Sequence, residues 1–183
     1  MSKYVVVVAD AQRARVFALK ESLTPEIEST PRLVETGDLV NTAHTAAKAE
    51  RRGTPSSGRN KSGSGGSYAF DDHREKRDLD GLRRFCNEVV KAALKETKAQ
   101  DAHSLVLVAG RKALGPLREV LAGIKTNGLG IKEWDKDLTG DPAARIHELL
   151  AKQALIPASK KPAPHVHRTG AGLRKPRARA MTE

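Results

Sequence analysis

Two continuous runs of apolar, mostly β-branched residues constrain the fold of this chain more than any other feature of its sequence. They are Tyr4–Ala9 and Ser104–Ala109. Short runs of this kind are typical of strands that are buried on both faces near the centre of a sheet. A second β-type segment, Arg13–Leu19, follows the first run after only three residues. Because so short a connection joins antiparallel neighbours, we predict that these two strands form a hairpin.

Two weaker segments complete the predicted sheet. Arg32–Leu39 is a candidate third strand, although Gly37 and Asp38 interrupt its pattern. Gly130–Asp135 is a candidate strand at the periphery of the sheet, with Trp134 as core or edge packing. The polar, proline-bounded residues 22–31 are expected to form a loop.

The helices are predicted from their apolar period and their end signals. A stripe with helical spacing predicts a long helix over residues 72–98, with almost wholly charged first turns that extend beyond the core. Pro116 is expected to open a shorter helix that ends at Gly123, after a helical turn from Arg111 to Leu114. Asp141-Pro142 is typical of the start of a last helix. The stripe of the long helix consists of Leu79, Leu82, Phe85, Cys86, Val89, Val90, Ala93 and Leu94.

These elements predict an α/β fold with a mixed central sheet flanked by helices, in the order β-β-β-loop-α-β-α-β-α. The 183 residues suffice for one domain, which we place at residues 1–153, followed by a disordered basic tail at 154–183. The single cysteine, Cys86, excludes an intrachain disulfide and is expected to act as a small hydrophobe. The sequence has neither a signal-peptide pattern nor a stretch long enough to span a membrane, so we expect a cytoplasmic protein.

A basic, glycine-rich loop at residues 41–70 interrupts this pattern. A loop of that length in a compact domain is usually functional or disordered. The net charge of +11 attracts nucleic acid or other anionic surfaces, so the loop and the helix entry after it predict a site for RNA. The residues of this candidate site are Lys48, Arg51, Arg52, Arg59, Lys61, Gly63, Gly65, Gly66, Ser67, Tyr68, Arg74, Lys76 and Arg77.

Several alternatives to this site remain open. The segment Gly63–Ser67 also suits a flexible linker, and the charge also suits a basic protein that merely stays dispersed. Asp10 with Asp71 and Asp72 would suit a metal site, but the first suits a turn and the other two a helix N-terminus. His44 and His73, on either side of the loop, are a weak metal signal. Ser67 as a nucleophile would need a positioned base such as His73, and Tyr68 and Phe70 would suit base stacking or loop anchoring. No cofactor is expected.

The strand Tyr4–Ala9, the turn at Asp10, the strand Arg13–Leu19 and the run from Leu105 to Gly110 together resemble the bacterial host attachment protein family. The resemblance spans residues 3–153. That family is similar in turn to the RNase H-like middle domain of archaeal and eukaryotic class-1 peptide release factors. In that domain a Gly-Gly-Gln loop precedes a long basic helix, which leads into an apolar strand ending in Ala-Gly.

Here Gly65-Gly66-Ser67 stands where that tripeptide would, and Tyr68 to Arg84 follows as the helix entry. The glutamine that helps to position the hydrolytic water in release factors is replaced by Ser67. The resemblance therefore implies a non-catalytic protein that binds RNA, above all the ribosome, in translation, hibernation or rescue. The name of the family implies a second function, in attachment to host cells. A third is a hydrolase that acts through the glycine-rich loop.

Overall fold

The computed structural model describes residues 4–24, 27–45, 69–124, 126 and 128–160, with the backbone alone for 69–75. Five strands form one sheet in the order β3-β2-β1-β4-β5. β1 pairs antiparallel with β2, and β2 with β3, whereas β1 and β5 both lie parallel to β4. The α/β class and the mixed sheet are thus confirmed. The strands are β1 Tyr4–Ala9, β2 Arg13–Lys20, β3 Arg32–Val40, β4 Ser104–Ala109 and β5 Gly130–Asp135; the helices are α1 Ala69–Ala99, α2 Arg111–Ala122 and α3 Ala143–Lys152.

The two apolar runs form the buried interior strands β1 and β4, as predicted. They lie side by side in register, so that Val5 is opposite Leu105 and Val7 is opposite Leu107. Val5 to Val8 have no exposed surface, because helices or a loop segment cover both faces of the sheet. This burial explains why neither run shows the alternation of polar and apolar residues that a half-exposed strand requires.

The predicted third strand is also confirmed. β3 is continuous through Gly37, which lies opposite Val16 of β2. The register of this pair shifts between Val16 and Phe17, as at a β-bulge. A side-chain carbon at position 37 would lie 3.7 Å from Val16 Cβ, which is an ordinary packing distance, so the space there does not require glycine.

One face of the sheet packs against α1 and α2. Phe85, Val89 and Val90 of α1 join Leu107 of β4 and Leu117 of α2 in this cluster. The predicted stripe of α1 is confirmed from Phe85 onward, but Leu79 is 55% exposed. Residues 76–80 are all exposed, so this part of α1, about one and a half turns, lies outside the core.

The other face packs against α3 and the segment that follows it. Ile146 and Leu150 of α3 share a hydrophobic cluster with Val6 and Phe17, and Ile156 is 4% exposed in the same cluster. The segment 154–160 was assigned to a disordered tail, and for these residues that prediction is wrong. Lys160 exchanges two backbone hydrogen bonds with Thr30, at 3.1 and 2.8 Å, so the domain extends at least to residue 160.

Two helix starts differ from the prediction. α2 is one helix from Arg111 to Ala122 with Pro116 inside it, because a buried face of Ala113, Leu114, Leu117 and Leu121 holds both halves against the sheet. Proline there removes one backbone hydrogen bond, a cost that this packing offsets. α3 begins one residue later than expected, with Pro142 rather than Asp141 at its N-cap.

The predicted loop 41–70 is helical at both of its described ends. Residues 42–45 form a helical turn, and 69–70 already belong to α1. Asn41 explains the turn: its side-chain oxygen accepts from His44 N at 3.2 Å, and its amide nitrogen donates to Ala11 O at 2.9 Å. Residues 46–68 lie outside the described residues, as does 161–183 of the predicted tail.

Candidate functional site at the carboxyl edge of the sheet

The carboxyl ends of β1, β4 and β5 meet at one edge of the sheet because these three strands are parallel. From β1 the chain turns back into β2, whereas from β4 it passes through α2 to β5 on the other side. The connections therefore diverge between Ala9 and Ala109. In open α/β sheets, such a divergence is where ligands bind.

Asp10 is the first polar residue at this edge. Its Oδ1 accepts hydrogen bonds from the backbone N–H groups of Gln12 and Arg13, both at 2.6 Å. Its own N–H donates to Arg13 O at 2.9 Å. These contacts confirm the turn role of Asp10. Its second carboxylate oxygen lies 3.4 Å from Thr139 Oγ1, which donates at the shorter distance of 2.8 Å to Asp137 Oδ1, so this contact is the weaker arm of a shared donation between the hairpin and the segment between β5 and α3.

Asp137 and Thr139 lie beside this carboxylate. Asp137 Oδ1 accepts from Thr139 N at 3.1 Å and from Thr139 Oγ1 at 2.8 Å. A side-chain carbon at Gly110, the N-cap of α2, would be 3.9 Å from Asp137 Cβ, so the cluster adjoins the start of α2. Within the described ranges, no three His, Cys, Asp or Glu side chains are grouped to hold a metal ion. The side chains of Asp71 and Asp72, which the metal alternative needs, are outside those ranges.

The helical turn 42–45 lies at the same edge. Asn41 N donates to Gln12 O at 2.7 Å, which places the end of β3 beside the β1–β2 turn. Gly81 of α1 packs so closely on this turn that a side chain there would come within 3.2 Å of Ala43 Cβ. The basic sequence 46–68 therefore leaves the described domain at the carboxyl edge.

Two arginine–carboxylate pairs link β2 to β3 near this edge, and they differ in their surroundings. Arg13 contacts Asp38 at 2.7 and 2.6 Å, and both side chains are nearly half exposed. Arg15 contacts Glu35 at 3.1 and 2.7 Å and also donates to Thr139 O and Asp141 O, at 3.2 and 2.7 Å. The Arg15 side chain is only 13% exposed. Arg15 therefore fixes the approach to α3 against the hairpin.

These pairs shift the acidities of their carboxyl groups. The hydrogen bond from Arg15 lowers the pKa of Glu35, and that from Arg13 lowers the pKa of Asp38. In both cases the charged form is favoured because it accepts from a guanidinium. Both carboxylates are thus held in the ionised state by neighbours within the fold.

An open groove of about 540 Å³ lies on the opposite flank of α2, against the edge strand β5. The ion pair between Arg118 and Glu133 lies beside it. Its lining residues are Arg118, Leu121, Ala122, Ile124, Thr126, Ile131 and Glu133.

The sequence-predicted RNA site is not assembled by the described residues. Lys48 to Tyr68 lie outside them, and the side chain of Arg74 does too. Lys76 and Arg77 are exposed in the first turns of α1. The grouping of these residues stays a prediction that the fold does not test.

Two side chains with chemically active groups, those of Cys86 and His147, are buried away from the carboxyl edge. Cys86 is 1% exposed, and burial raises its pKa to about 11, so the thiol stays protonated and packs as a hydrophobe, as expected. His147, which sequence reasoning missed, is 5% exposed on α3, and its Nε2 lies 2.9 Å from Pro157 O. Its position next to Ile146 on the inward side of α3 was the only available signal.

One family of known proteins matches this chain. Its sequence profile, described as "Protein required for attachment to host cells", covers residues 5–150. Since that is well over half of the chain, the chain belongs to this family. No curated protein matches it. None of the described helices is both long enough and apolar enough to cross a membrane.

This match overturns the prediction of a non-catalytic RNA- or ribosome-binding protein. The family is described by attachment to host cells, which was the second of the sequence-based functions. The RNA interpretation depended on the net charge, most of which belongs to residues outside the described ranges. Of the 33 Lys and Arg and 22 Asp and Glu residues of the chain, the described ranges hold 20 and 19, hence a net charge of +1 of the total +11.

Proposed function

We propose that this protein takes part in the attachment of the bacterium that makes it to host cells. The observation that carries the proposal is the family match over residues 5–150. It begins in β1 and ends in α3, so it includes all five strands and all three helices described here. The attachment role is therefore proposed for the domain as a whole, not for one motif within it.

The extent of the match also separates the domain from the basic C-terminal sequence. Residues 161–183 lie beyond the match, whereas the edge formed by Asp10, Asn41, Gly110 and Thr139 lies within it. We therefore propose that the folded domain is sufficient for the role and that its carboxyl edge is the first surface to test.

A deletion strain with complementation tests the proposal. Loss of the gene is expected to reduce the number of bacteria bound per host cell, and the full chain is expected to restore it. A chain that ends at Lys160 should restore attachment equally well. Leu107→Asp, which places a charge in the core, should not restore it, because a buried unpaired charge unfolds the domain.

The test of the site compares a variant at the carboxyl edge with a control variant elsewhere in the domain. Thr139→Val removes the hydroxyl that links Asp10 to Asp137 while keeping the shape of the side chain. Ala99→Ser, which is exposed at the end of α1 just before β4 begins, changes the same domain at the opposite end of the sheet. Attachment by the deletion strain at the parental level, with equal growth, would show that the proposed function is wrong.

We further propose a cytoplasmic location, which makes the attachment role indirect. Fractionation of the bacterium with an antibody against the protein distinguishes this from direct contact. Recovery at the cell surface would contradict the cytoplasmic proposal without affecting the attachment role.

The likeness to the release-factor middle domain is likewise a proposal, and it concerns the fold alone. The order of α1 and β4, with β4 ending in Ala109 before Gly110, supports it. Superposition of an experimental structure on such a domain tests it. The hydrolase alternative depends on Ser67 and His73, whose side chains lie outside the described residues, and it stays a prediction.

A further inference from the structure

Strand β5 forms one edge of the sheet, and alternate backbone groups along it face away from β4. Gly130 N donates to His103 O, just before β4, at 2.9 Å. Because the direction of these groups alternates along a strand, those of Lys132 and Trp134 also face β4. The N–H and C=O groups of Ile131 and Glu133 therefore face outward. Among the described residues, none forms a hydrogen bond with them.

The groove between α2 and β5 follows the same edge. Ile131, which is 37% exposed, forms one apolar wall, and Leu121 and Ile124 form the facing wall at the end of α2. The groove has a volume of about 540 Å³. The side chains of Ile131 and Glu133 share this face of β5, since they are two residues apart, and the ion pair of Glu133 with Arg118 agrees with that. The outward backbone groups and the groove wall thus belong to the same two residues.

An added strand would use both features at once. In such complexes the main-chain hydrogen bonds hold an extended peptide, and pockets beside the edge take its alternate side chains. The other face of β5 is occupied, because Lys132 Nζ donates to Leu155 O at 3.3 Å, in the segment after α3. The pocket for alternate side chains is therefore on the α2 side.

The charges beside the groove are balanced in pairs. Arg118 pairs with Glu133, and Arg111 Nε lies 3.1 Å from Asp135 Oδ2. This face of the edge therefore offers no net charge that would attract a polyanion or a polycation. Its alternating N–H and C=O groups are complementary to another peptide backbone, and its apolar walls are complementary to apolar side chains. An uncharged, extended peptide fits these groups best.

A second copy of β5 fits the edge poorly. Antiparallel pairing of two identical strands about a two-fold axis places one residue opposite itself. With the axis at any of residues 132–134, lysine lies opposite lysine or acid opposite acid, which destabilises a sheet. With the axis at Ile131, the pairing extends to Leu129, whose N–H already donates to Thr126 O at 2.9 Å. The added strand therefore has to come from a different protein.

We propose that β5 binds an extended, uncharged segment of a partner protein as a sixth strand of the sheet. The outward backbone groups of Ile131 and Glu133 hydrogen-bond to the added strand. Its apolar side chains, at alternate positions, enter the groove between Leu121, Ile124 and Ile131. This docking site is independent of the attachment role.

Nuclear magnetic resonance of the full chain, labelled with ¹⁵N, tests the proposal. The probe is a capped peptide as long as β5, in which valine alternates with threonine. It should shift the amide signals of Ile131 and Glu133 and reach half-saturation below about 1 mM. No shift up to that concentration would overturn the proposal. Signals of β5 that change with protein concentration alone would also overturn it, because they would assign the edge to a second copy.

Two N-methylated peptides test whether the probe pairs as a strand. One carries methyl groups on every valine nitrogen and the other on every threonine nitrogen, so only one of them keeps its donors toward β5. The peptide without those donors should bind at least about tenfold more weakly. Equal affinities would overturn the proposal, because side chains alone would then account for binding.

Substitutions in the protein test the same edge. Ile131→Pro removes an outward N–H that no ladder bond uses, so it should abolish the shifts while circular dichroism shows a folded chain. Ile131→Ser keeps the backbone donor and should weaken binding about fivefold through the lost apolar contact. Val40→Ser is the matched control, because Val40 is 54% exposed on β3, four strands or roughly 19 Å away. Equal affinities of Ile131→Ser and Val40→Ser would overturn the proposal.

Discussion

The described domain and the basic sequence outside it differ most in how their charges are balanced. The domain has 20 cationic and 19 anionic side chains, and many of them are paired, as Arg13 is with Asp38. Residues 46–68 carry five Lys or Arg and one Glu, and residues 161–183 carry six and one. Most of the net charge of this chain therefore lies outside the described residues. A polyanion site inferred from composition is not assembled by the described part of the domain.

The position where the domain ends gives the sharpest test of this comparison. A chain that ends at Lys152 loses the buried Ile156, the contact of His147 with Pro157 and the pairing of Lys160 with Thr30. We expect its free energy of unfolding to fall by about 3–5 kcal/mol. For a chain that ends at Lys160, the free energy of unfolding should change by less than about 0.5 kcal/mol. Urea unfolding of the two truncated chains measures both changes. Equal midpoints for the two truncated chains would mean that residues 153–160 do not stabilise the domain.

A single substitution tests the same boundary within the full chain. Ile156→Ala removes a side chain that is 4% exposed, so we expect a loss of about 2–4 kcal/mol. Ile131→Ala in β5 is the matched control, because that isoleucine is 37% exposed. Its replacement should lower the free energy of unfolding by less than about 1 kcal/mol. Thermal or urea unfolding shows which of the two variants is the less stable. The reverse ranking would place residue 156 outside the core.

The two arginine pairs test how much the balanced charges contribute. Arg15→Ala leaves Glu35 without its partner and the carbonyl groups of Thr139 and Asp141 without their donor. We expect a loss of about 1–3 kcal/mol. Arg13→Ala breaks a pair in which both side chains are more than 40% exposed, so we expect the free energy of unfolding to fall by only about 0–1 kcal/mol. Similar losses for both variants would contradict the role given to Arg15.

The smallest expected effect is a dependence on pH. Because the bond from Arg15 lowers the pKa of Glu35 in the folded state, the stabilisation is present above the ordinary value of 4.5 and is lost as the pH falls through the lowered value. The stability gap between the wild type and Glu35→Gln should therefore narrow between about pH 6 and about pH 3. Melting temperatures across that range measure the gap. A gap that stays constant would mean that the pair does not favour the ionised form of Glu35.

Much of the sheet was predictable because its signals are local. The runs that form β1 and β4 are apolar throughout, and only strands covered on both faces tolerate that pattern. The hairpin followed from a three-residue connection. The inward residues of α1 followed from the helical period from Phe85 onward.

The candidate site was less predictable, because its parts are distant in sequence. Asp10 and Thr139 are 129 residues apart, and Asn41 meets the same edge from a third segment. The antiparallel pairing of β2 with β3 brings Asn41 to this edge, and the parallel pairing of β4 with both β1 and β5 brings Thr139. The sequence-based site at residues 48–77 relied instead on local charge, which the family match does not support as an RNA site.

By itself, the sequence determined the α/β class, the interior strands, the hairpin and the family, because apolar period and turn length act over a few neighbouring residues. The tertiary structure decided that residues 154–160 belong to the domain and which polar residues share an edge. The sequence predicted Ile156 as part of a tail, but the residue packs in the core between α3 and the sheet. The sequence predicted that a helix begins at Pro116, but the burial of Leu114 and Leu117 stabilises one helix on both sides of this proline. Both outcomes depend on long-range burial, whose free energy exceeds the local preferences that a sequence displays.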